Sequence, residues 1–203
     1  YPDADIRDHV TVRQLLSHTS GLGPEDYYDD PRWAALRPRL RTVSDYMQLV
    51  QGKPRGGRAG EYVYSNAGYV LLGALLERVT GQPFHDYIRE HVFVPAGMTH
   101  SFYHELDHED RDVAAPLTNL FDRTVDSYIY RLGEPRNATT ELAARGGPQG
   151  GAYVTADDLF AFVRALQGGK LASAARLAEM TRAQSGGGAG AGGLTGDVRE
   201  GLG

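Results

Sequence analysis

A chain of 203 residues with 41% hydrophobic and 9% aromatic content can bury a core, which excludes wholesale disorder. Its 26 acidic residues against 21 basic ones give a formal net charge of −5, so nucleic acid meets no electrostatic footprint and is not an expected partner. Cysteine is absent, which removes disulfides and thiolate chemistry together.

In chain order the pattern is mostly helical. Thr11 and Gln14 are spaced as a capping box for a short helix over Val12 to Ser17, anchored by Leu15 and Leu16. In the turn that follows, His18 reads as a capping or core hydrogen-bonding residue, with Ser17, Thr19 and Ser20 satisfying backbone groups. Thr42 and Asp45 repeat the box before a helix over Val43 to Gln51, with Val43, Met47 and Val50 as its apolar stripe and Gly52 and Pro54 as its stop. The longest helix covers Ala67 to Thr80. Asn66 stands at its cap, Gly81 ends it, and Tyr69, Leu72, Leu76 and Val79 recur at helical spacing. Its run Val70 to Leu76 is too short to cross a bilayer, so no membrane segment is expected. Pro83 suits the first turn of another helix that buries Phe84, Tyr87, Ile88 and His91 or Val92 and closes at Pro95-Ala96-Gly97-Met98.

From Thr99 to Gly151, with Pro116, Pro135, Pro148 and the aromatic stretch Tyr128-Ile129-Tyr130, long loops with one or two short strands or helical turns are expected. Gly146-Gly147-Pro148-Gln149-Gly150-Gly151 reads as a tight turn or as the lining of a substrate cleft, with Tyr27, Tyr28 and Trp33 as a rim. Thr155 and Asp158 form a third capping box, for a helix over Ala156 to Gln167 packed through Leu159, Phe162, Val163 and Leu166. A final helix starts after Ser173 with Leu177 and Met180 inward. Beyond Ser185 half of the positions are glycine, so residues 1–185 are expected as one partial domain and 186–203 as a flexible segment.

Two places carry chemistry. Tyr64-Ser65-Asn66 lies between the alternating Tyr62-Val63-Tyr64 and the long helix, setting a phenol and an amide at a strand-to-helix junction. Tyr64 reads either as a half-buried aromatic or as a general base and proton carrier. A phenol titrates near pH ~10, so holding it as phenolate at neutrality costs about 4 kcal/mol, which a nearby cation has to supply. Asn66 either caps the helix or orients a substrate, and Ser65, outside any Gly-x-Ser-x-Gly, reads as a turn hydroxyl. His104-Glu105-Leu106-Asp107-His108 spells His-Glu-x-x-His, with His100 before it and Glu109 and Asp110 after it. Its flanks are highly charged and its apolar face, Phe102, Tyr103 and Leu106, is thin, so a solvated loop or short helix is expected and no metal or other cofactor is.

Several blocks, in this order, resemble the serine β-lactamase-related family of class C β-lactamases, D-alanyl-D-alanine carboxypeptidases and related esterases. They are Val10-Thr11-Val12-Arg13-Gln14-Leu15-Leu16-Ser17-His18-Thr19-Ser20-Gly21-Leu22, Tyr62-Val63-Tyr64-Ser65-Asn66-Ala67-Gly68-Tyr69, Pro95-Ala96-Gly97-Met98 and Gly150-Gly151-Ala152-Tyr153-Val154-Thr155-Ala156-Asp157-Asp158-Leu159. The resemblance implies that Tyr64 relays protons and that Asn66 orients the substrate. It also implies an α/β fold with a helical domain, of which this chain carries mainly the helical part, its main sheet largely missing. No serine has Lys53 or Lys170 three positions later, and no later Lys-Thr-Gly or His-x-Gly occurs. Both motifs belong, in the family, before and after the matched blocks. The expectation is therefore a fragment, inactive alone, of a hydrolase that cleaves an ester, a β-lactam or a D-amino-acid peptide through an acyl-enzyme. The rival is a non-catalytic peptidoglycan-related binding or scaffold protein that has lost its nucleophile. Exposed apolar surface facing the missing sheet would favour self-association, and the compartment stays open.

Overall fold

Two of the three capping boxes form as their spacing requires, and each sets where a helix begins. In the computed structural model, which describes residues 4–23, 30–52, 55–108, 112–120 and 132–183, helix α1 (Ala4–His9) leads into α2 (Val12–Leu16). Both halves of the Thr11–Gln14 box are made, as are both halves of the Thr42–Asp45 box ahead of α4 (Val43–Val50). Between them lie α3 (Trp33–Leu36) and a 3₁₀ turn at Arg37–Arg39. Helix α5 (Asn66–Thr80) ends on Gly81 in the left-handed conformation, at φ 71°. Pro83 precedes α6 (Phe84–Ile88), which runs through a π-helical turn (Arg89–Phe93) into α7 (Val94–Ala96), stopped by Gly97 at φ 78°. Strands β1 (Leu117–Leu120) and β2 (Leu132–Asn137) pair antiparallel, with Leu117 opposite Asn137 and a bulge between Thr118 and Leu120. Helices α8 (Ala156–Gln167) and α9 (Ala174–Thr181) follow, α9 capped by Ser173.

The chain is thus mainly α, with the β1–β2 pair the one sheet among the described residues. No helix among those residues is long and apolar enough to cross a membrane. The aromatic stretch Tyr128-Ile129-Tyr130, Lys53, Pro54, Glu109, Asp110 and the segment 186–203 lie outside the described residues.

Two clusters form the core. The larger gathers Leu15 of α2, Trp33, Tyr46, Leu49 and Val50 of α4, and Val70 and Leu71 of α5. The smaller joins Phe93, Ala96 and Met98 to Ala165 of α8. Trp33 is therefore a core residue and not part of a cleft rim. Its candidate companions Tyr27 and Tyr28 lie outside the described residues.

Two helix faces differ from those read off the sequence. Helix α5 buries Gly68, Val70, Leu71 and Gly73, whereas Val79 is 76% exposed. A helix that is apolar on several sides has its buried face chosen by its neighbours, and here the short helices α2 and α4 pack on it. On α8 the covered side is Ala165 with the half-buried Phe162 and Leu166, because the contact is with α7 and the segment around it. Leu159 and Val163, expected inward, are exposed together with Phe160, 71% accessible.

The third capping box is made only in part. Thr155 Oγ1 accepts the Asp158 N–H, but the Asp158 carboxylate accepts from the His100 N–H at 2.8 Å and the Ser101 hydroxyl at 2.7 Å. The side chain that would close the box instead staples the start of α8 to the turn after Met98. The Ser101 bond, opposed by burial and helped by the His100 N–H, holds this carboxyl below the usual carboxylate range.

Candidate active site

The corner that carries Tyr64 is built on a left-handed histidine. His18 has φ 54°, a conformation that non-glycine residues rarely adopt, and it turns the chain so that its carbonyl accepts the Val63 N–H at 2.8 Å. Thr19 O likewise accepts from Gly60, and Gly21 O from Gly57. Tyr62 to Tyr64 forms no strand and is held to the turn through the Val63 N–H. The buried His18 ring accepts the Ser65 N–H at Nδ1, 3.0 Å away, which leaves its proton on Nε2. Its centroid lies 4.6 Å from the Tyr64 ring and 5.1 Å from the Tyr69 ring, and Tyr69 donates its hydroxyl to Leu16 O. His18 is the core hydrogen-bonding residue that its position suggested.

The cap of α5 is Ser65, not Asn66. Ser65 Oγ accepts the Gly68 N–H at 3.1 Å, and Asn66 is the first residue of the helix. A buried serine oxygen committed to a backbone N–H fits the turn-hydroxyl reading. Asn66 is thereby released from capping, and its Oδ1 accepts the Tyr64 hydroxyl proton at 3.2 Å. Tyr64 is 57% exposed, so the phenol is presented outward and is not a half-buried aromatic.

Phenol and amide open on a cleft of about 520 Å³. Its walls include Tyr46, His104, Leu106, Leu142, Gln149, Gly150, Gly151 and Tyr153. The glycine-rich segment serves both of its suggested uses, as turn and as cleft wall. Gly147 and Gly150 exchange backbone hydrogen bonds of 2.9 and 3.0 Å, with Gly150 and Gly151 at φ 145° and 89°.

Three contacts seat this turn on the helices. Tyr46 of α4 donates its hydroxyl to Arg145 O at 2.6 Å, and His85 Nε2–H of α6 donates to Gly146 O at 2.9 Å. Pro148 rests on Gly73 of α5, where a Cβ would stand 2.8 Å from the proline Cβ and nearer still to its Cγ. Burial pushes the His85 imidazole below its ordinary value against the pull of the Gly146 bond, and burial pushes the neighbouring Tyr103 phenol up to about 12. Sequence reading did not single out Tyr46 or His85 for this wall, whereas Gln149 lies within the glycine-rich run read as a turn or cleft lining. Gly73 inside a helix was the available signal, since such a glycine often marks a close approach.

The His-Glu-x-x-His run lies on no helix. Phe102 and Glu105 bridge to Tyr153 and Arg145 and the chain turns at Leu106 and Asp107, so the run lacks the one helical face that the zinc pattern needs. Glu105, Asp107 and His108 do converge, but Arg41 is paired with both carboxylates and Arg145 with Glu105. Lys170 is not among the residues lining the cleft.

The beta-lactamase family model matches residues 2–203, and the chain belongs to that family. It is 32% identical over 167 residues to penicillin-binding protein 4* of Bacillus subtilis (strain 168), which covers 77% of this chain and 35% of the relative. Among solved structures, a penicillin-binding protein from Bacillus halodurans superposes with a TM-score of 0.78 at 30% identity, over 96% of this chain and 55% of that one. The D-amino acid amidase of Ochrobactrum anthropi SV3, complexed with D-phenylalanine, superposes with a TM-score of 0.65 at 25% identity, over 89% and 50%. The chain spans 37% and 35% of the first two curated relatives it matches. Its mainly α architecture is the helical part of the family's fold.

Proposed function

We propose that this chain supplies one wall of the active site of a serine hydrolase that works through an acyl-enzyme, with Tyr64 relaying protons and Asn66 orienting the substrate. The observation that carries this reading is the Tyr64–Asn66 hydrogen bond at the mouth of the cleft. A phenol within reach of an amide, next to space for an acyl group, suits proton transfer to a leaving group. The attacking serine and its lysine lie, in this proposal, outside these 203 residues, so this chain alone is inactive. The substrates are esters, β-lactams or D-amino-acid peptides and amides, a class supported by the penicillin-binding proteins and the D-amino acid amidase that the chain resembles.

The test is turnover by the intact protein of a fluorogenic short-chain ester, a chromogenic cephalosporin and a D-amino-acid amide, with and without Tyr64→Phe. A loss of roughly 10²-fold or more in kcat on the substrates turned over is expected, and full turnover by Tyr64→Phe would remove Tyr64 from the mechanism. The same assay separates the hydrolase from a binding protein without a nucleophile, which turns over none of the three.

A further inference from the structure

One residue reaches both chain neighbours of Tyr64. The His18 carbonyl accepts the Val63 N–H at 2.8 Å, and its ring Nδ1 accepts the Ser65 N–H at 3.0 Å. The same ring backs the phenol itself, with centroids 4.6 Å apart and planes inclined by 33°. Tyr62 and Tyr69 also meet it, at 5.9 and 5.1 Å, so the imidazole is buried among three tyrosines while Tyr64 stays open to the cleft.

These contacts need the left-handed backbone of His18, at φ 54°, which turns carbonyl and ring toward one segment. Glycine would make that turn without strain. A larger residue held in a sparsely populated conformation is over-determined by its surroundings, and such residues cluster at functional sites. An imidazole that accepts at Nδ1 is neutral, because the protonated ring has only donors. His18 is therefore not the cation that a Tyr64 phenolate needs, and it supplies placement in place of charge.

From this geometry we propose that His18 is a positioning residue for the proton relay, holding the Tyr64 hydroxyl within reach of Asn66 through the Ser65 N–H. The inference rests on the hydrolase reading of the site and adds to it the group that places the phenol. Ser65 is the link, since its N–H is tied to His18 while its Oγ caps α5 at Gly68, with Tyr64 on one side and Asn66 on the other. Without the acceptor a buried N–H is left unpaired, which favours a shift of the whole junction. A misplacement of about 1 Å between reacting groups costs roughly 10²-fold in rate.

Steady-state kinetics of the intact protein, on whichever of the ester, cephalosporin and D-amino-acid amide it turns over, test this by comparing His18→Gly with His18→Asn. Both variants lack the ring and both suit a left-handed backbone, but only asparagine keeps an acceptor, its Oδ1 standing as many bonds from Cα as Nδ1 does. His18→Gly is expected to lower kcat by roughly 10²-fold with KM little changed, because His18 is not among the residues lining the cleft. His18→Asn recovers most of the loss. Hydrogen exchange at the Ser65 amide follows the same order, fast in His18→Gly and slow in the wild type and His18→Asn. Full turnover by His18→Gly, equal losses in the two variants, or a loss confined to KM would each overturn the proposal. Melting curves show whether each variant is folded under assay conditions. If His18→Gly is not, His18→Asn carries the test alone, and a loss as deep as that of Tyr64→Phe sinks the proposal. A wild type that turns over nothing strikes the hydrolase reading and this role with it, whereas wild-type turnover with the two variants alike strikes the role of His18 alone.

Discussion

His85 joins two functions in one ring, since its Nε2–H holds the Gly146 carbonyl of the cleft wall while the ring packs 4.8 Å from Tyr103. Burial lowers its pKa from the ordinary 6.5, against the opposing pull of the Gly146 bond. The unfolded chain therefore binds this proton more tightly than the native state does. The stability that His85 contributes is full above pH 6.5 and is lost as pH falls from there through the folded value. The melting midpoint should fall more steeply from about pH 7 to about pH 5 in the wild type than in His85→Gln, which does not titrate in this range. Parallel profiles would mean that another group carries the acid dependence.

A helix carries the cleft wall through one missing side chain. Gly73 lies mid-way along α5, and the space above it is filled by Pro148, so α5 and the turn interlock by shape at this point. Gly73→Ala improves helix propensity by about 1 kcal/mol, but overpacking against a proline ring that has no rotamers to yield costs about 1–3 kcal/mol. The net expectation is a modest loss of stability, read as a lower melting midpoint, together with a several-fold weaker affinity for cleft ligands as the turn lifts. A variant that melts higher and binds as the wild type would show that the turn does not depend on this notch. The short helices α2 and α4 are held by capping boxes and buried leucines, which explains why their ends were legible while the loops were not.

Over the whole molecule, legibility followed the range of the interactions. Caps and glycine stops act within one turn, so the starts of α2 and α4 and the end of α5 could be read from residue spacing. Asp158 shows the limit. Its spacing from Thr155 predicts a box, yet Ser101 and the His100 N–H take the carboxylate from 57 and 58 residues away. The outer face of α8 was misread for the same reason, since periodicity gives a stripe but not the partner that covers it. At the site, Tyr64 and Asn66 were visible as motif residues, whereas the wall facing them depends on pairings no local pattern encodes, such as Tyr46 with Arg145. Those separations also imply an order of events as the chain leaves the ribosome. The His18–Ser65 corner closes over 47 residues, but the opposing wall closes only when residue 145 returns to Tyr46, 99 positions earlier. Bringing such distant partners together carries the larger loop-closure cost. In pulse-labelled refolding the Ser65 amide, bonded to His18, should gain protection before the Ala144 and Arg145 amides, bonded to Arg37 O and Leu40 O, and the reverse order would refute this sequence. The phenol and its amide would then stand in place as a half-built groove before the residues of the opposing wall have been translated.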